Sequence, residues 1–172
     1  MYRKQHKKIP MKIYTMDDSC VKIMQDRLTD EYAAERFYKC AATWCDLNGF
    51  AEASDYFVNE YHAERKHQHK IEKNLTDWNV IPMLPEVKAA QPSFTGLKDI
   101  VEQAYEMEYK LCEAYQQAVI DTQLEYPKCA VFFNKFVEIQ DESVIEYADI
   151  LKKLQGIESV FELQIMSKKV FK

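Results

Sequence analysis

Apolar residues recur at intervals of three, four and seven positions along most of the chain, the spacing that places them on one face of an α-helix. The pattern predicts four long helices, over residues 17–45, 50–78, 95–122 and 127–154, and a short fifth helix over residues 160–171. No segment shows the alternation of a half-buried β-strand. The sequence therefore predicts an all-α protein.

The lengths of the connections predict how the helices are arranged. Only a few residues separate helices one and two, and helices three and four, so each pair should be antiparallel. The segment 79–93 has three prolines and no helical period. Its 15 residues can extend over roughly 50 Å, whereas a helix of about 28 residues is about 42 Å long. We therefore predict a four-helix bundle with one long crossover between helices two and three.

Four side chains that can bind metal fall on the apolar faces of three different helices. Glu31 is on helix one, Glu64 and His67 are on helix two, and Glu108 is on helix three. Because Glu64 and His67 are three residues apart, both can reach one ion. Buried carboxylates are costly unless cations neutralise them, and carboxylates with one imidazole suit iron or manganese. The pattern predicts a binuclear iron site inside the bundle.

Two further polar residues share these inward faces. Tyr38 lies about two helical turns from Glu31, near enough to hydrogen-bond a ligand or to donate an electron. Gln140 lies on the inward face of helix four. Two simpler interpretations stay open: Tyr38 is a core aromatic, and the charged segment 61–70 is a solvated face.

Composition and charge narrow the possible partners. The 172 residues are 47% hydrophobic and 30% charged with a net charge of −5, which is typical of a well-solvated globular domain. No apolar run is long enough to span a membrane, and the acidic balance argues against nucleic acid as the main partner. Scattered cysteines without a C-x-x-C pair suggest a reducing compartment.

The first 16 residues differ from the rest because they carry five basic residues and no acidic one. We expect residues 1–16 to form a flexible basic extension. The remaining residues, 17–172, should form one domain.

Motifs in all four long helices resemble those of non-haem ferritins of the bacterial type, over about residues 18–171. They are Leu28–Tyr38 (LTDEYAAERFY), Glu64–His67 (ERKH), Ala104–Glu108 (AYEME) and Phe133–Gln140 (FNKFVEIQ). The segment after Gly156 looks like the short fifth helix of these proteins. The resemblance implies a ferritin-like bundle.

The resemblance also implies a ferroxidase centre that oxidises Fe(II) with dioxygen or peroxide. One iron would be held by Glu31, Glu64 and His67, and the other by Glu64 and Glu108, with Glu64 bridging. Gln140 would be the nearby polar residue of helix four, and Tyr38 would lie beside the centre. The Fe(III) product would be stored as a mineral in a cytoplasmic cage of twenty-four identical subunits.

Three departures from related patterns refine this expectation. Helix four reads Gln140-Asp141-Glu142-Ser143, without a second Glu-x-x-His, so the second iron should be weakly held. Ala63 and Ile139 stand where many bacterial ferritins have acids of a third iron site, so we expect no such site. Arg65 stands where haem-binding bacterioferritins have methionine, so we expect no haem.

Other functions would require different residues. A rubrerythrin-like oxidase or peroxidase with a retained di-iron cofactor is the main alternative. The missing ligands on helix four and the absence of a C-x-x-C tail argue against it. A non-catalytic subunit of a mixed cage would have lost the site residues, and a plain helical interaction module would leave the inward acids unexplained.

Overall fold

The fold is known from a computed structural model, which describes residues 15–86, 88 and 93–171. This part of the chain forms five α-helices and confirms the predicted all-α fold. Their bounds are α1 (Asp18–Leu47), α2 (Ala51–Asp77), α3 (Leu97–Thr122), α4 (Pro127–Leu154) and α5 (Val160–Val170). Residues 1–14, which make up most of the predicted basic extension, lie outside the described residues.

Several helix ends differ from the predicted bounds by one or two residues, and α1 differs at both of its ends. At the start of α1, the side chain of Asp17 accepts a hydrogen bond from the Ser19 backbone N–H at 2.9 Å, so Asp17 caps the helix instead of belonging to it. At its other end, α1 continues to Leu47, two residues beyond the prediction. The turn that follows contains Gly49 with φ +79°, a conformation that glycine adopts without strain.

The crossover between α2 and α3 runs along α1. Near the start of α1, the amide of Gln25 exchanges hydrogen bonds of 2.6 and 3.3 Å with the Met83 backbone. Near the end of α1, the Trp44 ring lies 6.5 Å from the ring of Phe94. The chain therefore returns along the bundle between these points, and α3 starts at the end where α2 also starts. This makes α2 and α3 parallel, as a bundle with one crossover requires.

Aromatic rings fill much of the core. The fully buried rings come from all four long helices and include Tyr38, Phe57, Tyr115, Phe133, Phe136 and Tyr147. The short helix α5 packs against α2 and α4. Phe171, just after α5, lies with its ring 5.2 Å from that of Tyr56 and 5.9 Å from that of Phe57. The fifth helix is thus docked by burial at its end, which a helix of this length needs.

No helix in the described ranges combines the length and the apolar character needed to cross a membrane.

We expect Leu28→Ala to lower the free energy of unfolding by about 2–5 kcal/mol, because the Leu28 side chain is fully buried in α1 and its truncation leaves a cavity. Lys22→Ala is the control on the same helix, since the Lys22 side chain is exposed, and it should change stability by less than about 0.5 kcal/mol. Denaturant unfolding followed by circular dichroism measures both. Equal losses in the two variants would contradict this packing.

Candidate metal centre

Three helices bring the predicted ligands to the middle of the bundle. Glu31 on α1, Glu64 on α2 and Glu108 on α3 are all at most 3% exposed, and His67 on α2 is 9% exposed. Each occupies a position that the helical period assigns to the buried face. The fold therefore encloses three carboxylates and an imidazole in an otherwise apolar core.

Glu31, Glu64 and His67 form the tightest part of this centre. The His67 Nδ1 atom lies 3.1 Å from Glu64 Oε2 and 3.2 Å from Glu31 Oε2. One ligand atom from each of the three residues lies within 4.8 Å of the others. No other set of three histidine, cysteine, aspartate or glutamate side chains in the described part of the chain meets this criterion. These three side chains can hold one cation.

Glu108 completes the centre from the opposite helix pair, although it lies outside that set of three. It is close enough to raise the pKa of Glu64 by charge repulsion. Its Oε1 atom accepts a hydrogen bond from the Tyr38 hydroxyl. Tyr38 is thus a partner of a predicted ligand, and its ring is also part of the aromatic core.

A second phenol makes the matching contact with Glu31. The Tyr115 hydroxyl on α3 donates a hydrogen bond to Glu31 Oε1 on α1. Burial, followed by nearby carboxylate charge, raises the pKa of both Tyr38 and Tyr115 well above the ordinary tyrosine value. Both phenols therefore keep their protons and act as donors at neutral pH.

Burial and mutual repulsion oppose the simultaneous ionisation of all three carboxylates. Burial, with repulsion by Glu31 and Glu108, raises the pKa of Glu64 well above its ordinary value. Burial likewise raises the pKa of Glu108 to about 8, although the Tyr38 hydrogen bond opposes this. Burial alone would raise the pKa of Glu31, but polar contacts with His67, Glu64 and Tyr115 together lower it. Without a cation, the cluster holds extra protons in place of positive charge.

Several buried polar atoms of the centre have no hydrogen-bond partner within the described protein. They are Glu31 Oε2, Glu108 Oε2 and both amide atoms of Gln140, whose side chain on α4 is fully buried. Glu31 Oε2 faces the His67 nitrogen, but that nitrogen is hydrogen-bonded to Glu64. Unpaired buried acceptors are rare and costly. Oxygen-rich donors with one imidazole fit an iron ion, so the residues present suit the metal predicted from the sequence.

Two residues near the centre were not assigned roles from the sequence. Gln68 donates from Nε2 to the Glu31 backbone oxygen at 3.2 Å and to the Glu35 carboxylate at 3.0 Å, which ties α2 to α1 beside the site. Glu60 accepts a 3.3 Å hydrogen bond from the Tyr147 hydroxyl, and burial raises its pKa to about 7. Glu60 could have been noticed because it precedes Glu64 by one helical turn.

The solvated-face interpretation of segment 61–70 is only partly right. His62 and His69 are exposed, as their positions off the apolar stripe predict. Glu64, His67 and Gln68 in the same segment are buried. One face of this charged segment therefore lies in the centre, and the other lies in solvent.

Comparison with known proteins identifies relatives in sequence. The family described as the ferritin-like domain matches residues 21–157. A probable bacterial non-heme ferritin-like protein of Haemophilus influenzae is 24% identical over 140 residues, which cover 81% of this chain and 85% of that protein. A bacterial non-heme ferritin of Staphylococcus aureus is 21% identical over 134 residues, which cover 76% of this chain and 81% of that protein.

Solved structures agree in fold. A humanized archaeal ferritin superimposes with a TM-score of 0.85 at 18% identity, over 91% of this chain and 96% of that one. An open-pore ferritin from the hyperthermophilic archaeon Archaeoglobus fulgidus gives a TM-score of 0.83 at 18% identity, over 91% and 97% of the two chains. At this identity, the likeness establishes the arrangement of helices and nothing finer.

The sequence match and the fold lead to the same assignment. The family match and the sequence relatives support a role in iron storage in general, and they do not favour a rubrerythrin-like enzyme with a retained metal cofactor. Because the family matches most of the chain, from residue 21 to residue 157, the chain belongs to the ferritin-like domain family.

Proposed function

We propose that this chain is a ferroxidase that oxidises Fe(II) at a binuclear centre and stores the Fe(III) in a multisubunit cage. The observation that carries the proposal is the enclosed set of Glu31, Glu64, His67 and Glu108, contributed by three helices in an apolar core. Iron is the substrate of this reaction and not a permanent cofactor.

The ligand set suits oxidation of iron because anionic oxygen donors stabilise Fe(III) more than Fe(II). In the proposed arrangement, Glu31, Glu64 and His67 bind one ion, and Glu64 bridges to a second ion at Glu108. Each Fe(II) gives one electron. Two electrons and two protons convert dioxygen to hydrogen peroxide, and two more of each convert peroxide to water. Neither step needs a protein nucleophile.

The two iron positions are unequal, and this favours turnover. The ion shared by Glu31, Glu64 and His67 has three protein ligands. The second ion has Glu64 and Glu108, with the neutral amide of Gln140 as the remaining candidate on α4. Fewer charged ligands hold Fe(III) less tightly. Release of the oxidised product toward storage is therefore easier than in a site with a second Glu-x-x-His motif.

Storage in a cage requires many subunits to assemble, and the exposed apolar side chains of the single chain are suited to forming subunit interfaces. Several large apolar side chains are exposed, which for an isolated monomer is unfavourable. Seven of them lie on the crossover, at or near the ends of helices, or on α5: Leu47, Ile81, Met83, Leu84, Leu124, Val160 and Phe161. We propose that they are covered in a homo-oligomer of twenty-four subunits. The free thiols fit a reducing cytoplasm.

Glu64→Ala should abolish rapid oxidation of Fe(II), because it removes the carboxylate shared by both proposed ions. Stopped-flow absorbance after mixing Fe(II) with aerated protein measures the initial rate, and we expect a decrease of about 100-fold or more. Glu106→Gln is the control, since Glu106 is an exposed acid two residues before Glu108, with a side chain that is 70% exposed. A near-normal rate in Glu64→Ala, with intact helices, would contradict the assignment of the site.

The metal-free protein should become less stable as the pH rises from about 5 to about 8. The raised pKa values of Glu108, about 8, and Glu60, about 7, mean that the folded state binds more protons than the unfolded chain in this range. The free energy of unfolding therefore falls with pH until these groups have ionised.

Urea unfolding in the presence of a chelator, at several pH values, measures this dependence. Glu108→Gln should make the decline shallower because the amide cannot ionise. Identical pH dependence in the wild type and in Glu108→Gln would contradict the placement of Glu108 in a repulsive, buried cluster.

A further inference from the structure

The two phenols of the centre are arranged reciprocally between α1 and α3. Tyr38 follows Glu31 by seven residues on α1, and Tyr115 follows Glu108 by seven residues on α3. Each hydroxyl donates to the carboxylate of the other helix: Tyr38 to Glu108, and Tyr115 to Glu31. All four side chains are essentially buried. The same pattern therefore occurs twice, once for each end of the proposed binuclear site.

In each of the two carboxylates, the phenol occupies one oxygen and leaves the other. Oε1 of Glu31 and Oε1 of Glu108 accept the tyrosine hydrogen bonds. Among the described residues, Oε2 of Glu108 has no hydrogen-bond partner, and Oε2 of Glu31 faces only the His67 nitrogen, 3.2 Å away, which is hydrogen-bonded to Glu64. A carboxylate with one oxygen tied to a fixed donor cannot rotate freely, so its second oxygen has a defined direction. That second oxygen is the one left for a cation.

Tyr115 is itself held rigidly. Its ring stacks on Phe136 of α4 with centroids 4.8 Å apart and planes at 16°. The Arg27 guanidinium of α1 lies 5.9 Å from the centroid of the same ring. With aromatic packing on one helix and a cation on another, the phenol has little freedom to follow a moving carboxylate.

We propose that Tyr115 is a positioning residue that orients Glu31 for the ion shared with His67, as the counterpart of Tyr38 at Glu108. This inference rests on the proposed binuclear site and adds to it a residue from α3. The phenol contacts the carboxylate and acts on the ion through it. Loss of such a supporting hydrogen bond lowers metal affinity by roughly 10–100-fold.

Tyr115→Phe tests the proposal because it removes only the hydroxyl and keeps the stacked ring. Anaerobic Co(II) titration by calorimetry, with the assembled full-length protein, measures binding at both positions without any oxidation. The step lost in His67→Ala identifies the ion that Glu31 shares. We expect Tyr115→Phe to weaken that step by roughly 10–100-fold and to change the other step much less.

Tyr109→Phe is the matched control, since Tyr109 lies on the same helix and is 48% exposed. Its Co(II) binding should equal that of the wild type. In a Glu31→Gln background, Tyr115→Phe should have no further effect on the His67 step, because the oriented carboxylate is already gone. A further loss of similar size there would mean that Tyr115 acts on the fold in general, and would overturn the proposal.

Tyr38→Phe, the corresponding change at the other tyrosine, tests the reciprocal arrangement if Tyr115→Phe does not fold. Tyr38→Phe should weaken the step that does not depend on His67, since Tyr38 contacts Glu108. If Tyr38→Phe weakens the His67 step instead, or if a folded Tyr115→Phe binds Co(II) as the wild type does, the reciprocal assignment is wrong. If the wild type itself fails to bind about two ions per chain, the proposed binuclear site fails first.

Discussion

The structure depends on the cost of burying negative charge among aromatic and aliphatic side chains. Glu31, Glu64 and Glu108 lie in the apolar core with one imidazole as the only potentially positive group among the ligands. Among the described residues, His67 is the only ion-pair partner of these carboxylates. The metal-free centre therefore retains protons, in agreement with the raised pKa values of Glu64 and Glu108. A bound cation removes the same penalty. The centre is therefore suited to binding a cation.

The packing of the helices fixes the directions of the ligand atoms before any ion binds. The crossover along α1 makes α2 and α3 parallel, and this brings Glu108 of α3 opposite Glu31 and Glu64. Phenols on α1 and α3 then tie one oxygen of each terminal carboxylate. Because these phenols are packed between aromatic rings, the arrangement exists before any ion binds. Pre-arranged ligands reduce the cost of ordering the site when it binds metal.

Much of the fold and part of the centre could be predicted from the sequence because both follow from helical periodicity. The period placed Glu31, Glu64, His67 and Glu108 on inward faces, and the long proline-containing segment required a crossover. Helical periodicity predicts which residues of one helix are buried. It does not predict which residues of a neighbouring helix they contact. The Tyr115 contact with Glu31 depends on that relative placement, so helical periodicity alone does not predict it. The ferritin-like family match explains the fold without assigning that contact.

Aerobic loading with a large excess of Fe(II) tests whether the chain stores iron beyond the capacity of the proposed binuclear site. Size-exclusion chromatography with iron detection then reports both particle size and iron content. We expect iron far above about two ions per chain, eluting with a particle much larger than one subunit. Iron that stops near two per chain on a small species would contradict storage and would indicate a di-iron enzyme.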